Sequence, residues 1–223
     1  MNETRPANDA ERFLRLAQRG ERGKLTVYLG MAPGVGKTYR MLQEAARKQA
    51  EGKDVVVGIA ETHGRSETAT LLEPLEVLPR RSIAYEGHAL DEFDIDAALD
   101  RRPGLILVDE LAHSNASGSR HPKRWQDVAE LLVSGIDVAT TLNIQHIESL
   151  NDVVAGFTHV RVRETVPDSI LSSAEIILVD LPPDALIERL TAGKVYLPET
   201  AGRALANFFT LPKLAALREL ALR

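Results

Sequence analysis

Gly30-Met31-Ala32-Pro33-Gly34-Val35-Gly36-Lys37-Thr38 stands between the apolar run Leu25–Leu29 and a helical pattern over Thr38–Ala50. Strand, glycine-rich turn and helix in that order, ending in Gly-Lys-Thr, is the setting a phosphate-binding loop requires. Successive backbone N–H groups converge on one anion only where the chain curls tightly, and Gly34 and Gly36 allow that curl. The following helix aims the positive end of its dipole at the same point. Lys37 is then expected to reach β and γ phosphates, and the Thr38 hydroxyl to ligate Mg²⁺. One position departs from the usual spacing. Met31 stands where Gly or Ala is customary, with Gly30 one place earlier, so the Met31 side chain is expected to point away from the loop. The nucleotide-contacting residues expected here are Gly30, Pro33, Gly34, Val35, Gly36, Lys37, Thr38 and Tyr39.

Outward from the loop, Asp54–Ala60, with its Val55-Val56-Val57 run, completes a strand–helix–strand unit. The alternation continues with helices near Ser66–Leu72, Ile95–Arg101, Trp125–Leu132, Ile144–Val154 and Asp184–Leu190, and strands near Ser82–Tyr85, Leu105–Val108, Asp137–Leu142 and Glu175–Val179. Strands that are apolar along their length and flanked by helices belong in a parallel sheet covered on both faces. The expected fold is therefore α/β and P-loop NTPase-like, with a mostly parallel sheet and a C-terminal helical extension. The division is an N-terminal helix (Ala10–Gln18) and joint over 1–23, a nucleotide-binding domain over 24–199, and helical patterns over 200–223 leading towards a following domain. The last stretch, Leu217–Arg223, has no Gly or Pro stop signal, as expected of a fragment of a longer protein.

Leu105-Ile106-Leu107-Val108 runs into Asp109-Glu110. A carboxylate at the carboxyl end of a buried parallel strand borders the ligand crevice of such sheets, which makes Asp109 a candidate Mg²⁺ ligand beside Thr38. Glu110 is then a candidate to polarise an attacking hydroxyl or water. With the loop, these residues describe a Mg²⁺-nucleoside triphosphate site. No Asn-Lys-x-Asp segment of the guanine-specific kind follows a later strand, so ATP is the expected nucleotide.

Composition bounds the remaining choices. Of 223 residues, 44% are hydrophobic and 26% charged, as in ordinary globular proteins. No cysteine is present, which excludes disulfides, thiolate metal sites and cysteine nucleophiles. The net charge of −5 provides no overall positive field for nucleic acid and disfavours a nucleic-acid-dependent motor. No apolar run reaches the length of a membrane span, and Met1–Glu11 has no signal-peptide core. His63, His88, His113, His121, His146 and His159 lack zinc-site spacing.

Other polar residues carry further expectations. Glu61, His63 and Arg65 follow the second strand, where loops face the crevice, and are read either as catalytic or substrate contacts or as a hydrogen-bonded loop. Arg120, Lys123 and Arg124 form a basic cluster able to supply a γ-phosphate contact like an arginine finger, or a solvated face. Asn143 and Gln145 are candidates to orient water or sense the γ-phosphate. Glu110, Arg120, Arg124 and Glu61 form the candidate catalytic set. The N-terminal basic residues Arg12, Arg15, Arg19, Arg22 and Lys24 suit an exposed face more than an anionic membrane surface.

Longer motifs point to a family. Tyr28–Leu42, Glu61-Thr62-His63-Gly64-Arg65, Leu107–Asn115, Gly118–Asp127, Thr141–Asp152, Glu164-Thr165-Val166-Pro167-Asp168 and Leu217–Arg223 together resemble the N-terminal cytoplasmic P-loop domain of the KdpD family of bacterial potassium-responsive sensor histidine kinases. The resemblance implies a parent chain that continues into a universal-stress-protein-like domain, membrane spans and a histidine kinase core, at the cytoplasmic face of a bacterial inner membrane. It also implies a response regulator like KdpE as the parent's phosphorylation partner and a potassium pump under its control. Membrane contact would come only through the segments beyond this chain, and a homodimer is left open. His146-Ile147-Glu148 does not match a phosphoacceptor box, because Asn151-Asp152-Val153 follow where Arg and Pro are expected.

Two functional classes use the same site. One is a regulatory module in which bound Mg²⁺-ATP biases an attached kinase. The other is an enzyme, a slow ATPase or a phosphotransferase acting on a protein hydroxyl.

Overall fold

The computed structural model describes residues 22–62, 64–85, 88–193 and 209–223. The expected helix Ala10–Gln18, the segment 194–208 and His63 lie outside them.

Strands β1 (Leu25–Gly30), β2 (Val55–Ile59), β3 (Glu76–Val77), β6 (Leu105–Val108), β7 (Asp137–Asn143) and β8 (Glu175–Leu178) form one sheet. Its order is β3-β2-β6-β7-β1-β8. Every neighbouring pair runs parallel. The short β3 gave no periodic signal of its own; it joins the edge by pairing with β2 through Glu76 and Val77.

Successive side chains of a strand face opposite ways, so a strand buried on both faces feeds two cores. Leu105 and Leu107 enter a cluster with Met41, Leu42 and Ala45 of helix α1 (Lys37–Ala50). Ile106 and Val108 enter the larger cluster on the other face. There they meet helices α3 (Ile95–Arg101), α4 (Arg124–Val133), α7 (Pro183–Thr191) and α8 (Leu211–Ala221). Short helices α2 (Ser66–Thr70), α5 (Asn151–Thr158) and α6 (Asp168–Leu171) lie in the connections. Leu214 and Leu217 of α8 are fully buried, so the described part of the C-terminal extension packs on this same core.

Two expectations needed correction. The strand near Ser82–Tyr85 is β4 (Arg81–Tyr85), which pairs antiparallel with β5 (His88–Glu92) outside the main sheet. The exposed polar residues Arg81, Ser82 and Asp91 suit a hairpin with a wet face rather than a doubly covered strand. The helix expected over Ile144–Val154 instead begins at Asn151, after two 3-10 turns, Ile144–His146 and Glu148–Leu150. Val166 N–H donates to the His146 carbonyl at 2.8 Å and Glu148 N–H donates to the Val166 carbonyl at 3.1 Å. That pairing diverts the backbone groups a continuous helix would use.

Candidate functional site

Because the strands are parallel, Gly30, Val108 and Asn143 end on one edge of the sheet, and β7 lies between β1 and β6. The glycine loop leaves β1 and folds back sharply. A Cβ on Gly30 would come within 2.6 Å of Val35 Cγ2 and 3.1 Å of Lys37 Cδ, so a side chain is excluded there. Gly34 and Gly36 adopt φ of 90° and 104°, which favours glycine. Met31, only 2% exposed, packs in the larger core, as its position in the motif required.

Lys37 begins α1 with its side chain buried on the sheet side, in line with Met41 and Ala45 one and two turns on. Its Nζ donates to the Ala32 carbonyl at 3.0 Å and to Asn143 Oδ1 at 2.5 Å. Burial pushes the lysine down to about 8, against the pull of Asp109 and Glu110 and with a further push from the charge of Arg65. The next residue, Thr38, donates its hydroxyl to Asp109 Oδ2 at 3.0 Å.

Asp109 is wholly buried and hydrogen-bonded on all sides. It accepts from Thr141 Oγ1 at 2.5 Å and from the backbone N–H groups of Glu61 and Glu110, each at 3.1 Å. Burial raises its pKa, aided by the charge of Glu110 and opposed by the bonds from Thr141, Glu61 and Thr38. Glu110 is exposed and has φ of 57°. A left-handed glutamate costs about 1–2 kcal/mol, a strain that tends to gather at functional sites. Its N–H is also held by Thr141 Oγ1 at 3.1 Å.

One cavity gathers Pro33, Gly34, Gly36, Lys37, Thr38, Glu110 and Asn143. Arg65 and His146 line it too. His146 Nδ1 bonds the Glu164 carbonyl at 2.7 Å, and burial lowers its pKa. Tyr39 lies at the surface, 41% exposed. Glu61 turns its carboxylate to Arg80 at 3.0 Å and borders a second cavity that shares Glu110 and His113 with the first.

The basic cluster separates. Arg120 is exposed and pairs with Glu130 and, at 2.7 Å, with Asp96. Arg124 is 2% exposed and donates to the Asp109 carbonyl at 3.0 Å and to Glu92 at 3.2 Å. Burial lowers its pKa, and the charge of Glu92 raises it. Lys123 donates to Ser114 Oγ at 2.6 Å. Glu92, which also meets His113 at 3.1 Å and accepts from Ala116 N–H at 2.8 Å, was not singled out from the sequence, and neither was Thr141. The available signals for Thr141 were a polar residue near the end of an apolar strand and its place at the start of the family-like motif Thr141–Asp152. Nothing local signalled Glu92, whose partners come from other elements.

The fold and this edge of the sheet define a class, the P-loop NTPase-like α/β domains. Residues 21–223 match the family model KdpD, described as the osmosensitive K⁺ channel His kinase sensor domain, and the chain belongs to that family. It is 60% identical over 216 residues to the sensor protein KdpD of Escherichia coli, covering 96% of this chain and 24% of that one. To the sensor protein KdpD of Clostridium acetobutylicum it is 54% identical over 203 residues, covering 91% and 23%. To that of Mycobacterium tuberculosis it is 52% identical over 203 residues, covering 91% and 24%. The chain thus spans about a quarter of the length of these curated relatives. Among the described residues no helix is long and apolar enough to cross a membrane.

Proposed function

We propose that this domain binds Mg²⁺-ATP at the carboxyl edge of its sheet and serves as the cytoplasmic nucleotide-binding regulatory domain of a two-component sensor histidine kinase controlling potassium-uptake genes. The observation that carries the reading is the meeting of Lys37, Thr38 and the Gly34–Gly36 turn at one cavity, with Asp109 buried directly behind Thr38 and hydrogen-bonded to it. On this reading the loop N–H groups bind phosphate oxygens and Lys37 exchanges Asn143 for the β and γ phosphates.

The donor set fits Mg²⁺. A threonine hydroxyl and a carboxylate 3.0 Å apart are hard oxygen ligands, and Mg²⁺ is usually held by one or two such groups together with phosphates and water. Thr38 and Asp109 would hold the cation, which when bound neutralises phosphate charge. Among the described residues no cluster of three or more His, Asp or Glu offers a separate all-protein metal cage.

Asp109 also holds the N–H groups of Glu61 and Glu110, which ties both flanking loops to the residue that would hold the cation. Occupancy would shift those loops and so bias the remaining domains of the parent between kinase and phosphatase states. A response regulator like KdpE, and the potassium pump, would be engaged through the parent. Nucleic acid is not a partner on this reading.

A second reading, a phosphotransferase to a protein hydroxyl or a slow ATPase, is favoured by one feature, the left-handed Glu110 at the cavity wall. Incubation with γ-labelled ATP, Mg²⁺ and candidate protein substrates separates the two when binding, phosphate release and transfer are scored independently. Binding alone is the regulatory outcome. Absence of binding defeats both readings.

A further inference from the structure

Resting on the nucleotide-binding reading, we propose that Arg65 is the arginine that grips the terminal phosphate of the bound triphosphate, supplied by the same chain. The arginines that the sequence pattern favoured for this task, Arg120 and Arg124, do not line this cavity. Arg124 is held by the Asp109 carbonyl and Glu92, and Arg120 by Asp96 and Glu130. Arg65 instead lines the cavity together with Gly34, Lys37, Thr38 and Glu110.

Its position follows from the topology. β2 lies beside β6, so the loop leaving β2 arrives at the side of the site where Asp109 and Glu110 stand. Glu61 N–H is anchored on Asp109 Oδ2 at 3.1 Å, and Arg65 N–H closes the loop on the Thr62 carbonyl at 3.0 Å. The loop is thus bound to the residue expected to hold the cation. Its arginine falls at the acidic end of the cavity, where a terminal phosphate meets its attacking group.

Electrostatics argue the same way. Lys37 and Arg65 both line this cavity beside the Gly34–Gly36 turn. A multiply charged anion entering there meets two cations. Lys37 is a point charge, whereas a guanidinium fork can take two phosphate oxygens at once. Arg65 would therefore make the site distinguish triphosphate from diphosphate.

The test is calorimetric titration of Mg²⁺-ATP and Mg²⁺-ADP into wild type, Arg65→Ala and Arg65→Lys, with thermal unfolding of each. Loss of one charge-assisted contact is expected to weaken ATP binding by about 10- to 150-fold in Arg65→Ala. ADP affinity should change by less than about threefold, and Arg65→Lys should fall between wild type and Arg65→Ala. Equal losses for ATP and ADP, or no loss for either, overturn the assignment while the phosphate site stands. A wild type that binds neither nucleotide overturns both. Should Arg65→Ala fail to fold, the ATP-to-ADP ratio in Arg65→Lys decides: a ratio equal to that of wild type overturns the assignment.

Discussion

Arg124 donates a hydrogen bond to the main-chain carbonyl of Asp109 across 3.0 Å, with its guanidinium buried beneath the strand end it supports. The same group meets Glu92 at 3.2 Å and so joins the β4–β5 hairpin to the acidic end of β6. Removing one partner of a buried pair leaves the other charge uncompensated, at a cost of about 3–5 kcal/mol. Glu92 keeps His113 and Ala116 N–H as partners, which places Arg124→Ala near the lower end. Urea unfolding should show that loss. If Arg124→Ala is as stable as wild type and loses only nucleotide turnover, the residue acts on the phosphate rather than as a brace.

Lys37→Ala should weaken ATP binding by about 10- to 150-fold, since a charge-assisted phosphate contact contributes about 1.5–3 kcal/mol. Thermal stability should hold or rise, because the substitution removes a cation whose burial is unfavourable. Unchanged affinity in a calorimetric titration would rule out the phosphate-site assignment.

The proton affinity of Lys37 gives a pH dependence. Its pKa lies near 8 without ligand, and bound phosphate favours the charged form, which raises that value. Below about pH 8 the lysine is already charged and its contribution to affinity is complete. Above that point binding must recruit a proton, so affinity should fall by up to about tenfold per pH unit until the bound-state pKa is passed. Lys37→Arg, always charged, should flatten the profile. A wild-type affinity constant from pH 7 to 9.5 would contradict the lysine contact.

Asp109→Asn should abolish the Mg²⁺ dependence of ATP binding more than binding itself, because the amide keeps the shape and loses the charge that attracts the cation. It also costs stability, since the amide nitrogen that replaces one oxygen cannot accept, and so loses either Thr141 and the Glu110 N–H at Oδ1 or Thr38 and the Glu61 N–H at Oδ2. Titrations with Mg²⁺ and with chelator, on protein checked for folding, measure the effect. Equal Mg²⁺ responses in mutant and wild type would make Asp109 purely structural.

Glu110→Gln separates regulation from catalysis. A regulatory site should keep ATP affinity within a few fold and show no covalent chemistry in either form. If the site is catalytic, losing a general base should lower turnover by about 10²- to 10⁴-fold with affinity little altered. Phosphate release and phosphoprotein formation at saturating Mg²⁺-ATP are the quantities to compare. A wild-type rate no higher than the variant's leaves the regulatory reading alone.

The sequence by itself determined the parts whose causes are local. Short apolar runs marked β1, β2, β6 and β7, helical spacing marked α1 and α3, and Gly34-Val35-Gly36-Lys37-Thr38 was legible because a tight loop opening a helix leaves few residue choices. Pairing across the chain was settled only in three dimensions. β7 lies between β1 and β6, which brings Asn143 to Lys37 and Thr141 to Asp109, partners 106 and 32 residues apart. The segment Ile144–Val154 has helical spacing, yet Val166 claims its backbone groups and leaves only Asn151–Thr158 as α-helix. Arg65 and Arg124 look alike as basic residues near turns, and the strand order alone sends one to the cavity and buries the other beneath Asp109. Periodicity reports which side of an element is buried; it does not record which distant element does the burying, and hydrogen-bond partners follow from that second fact.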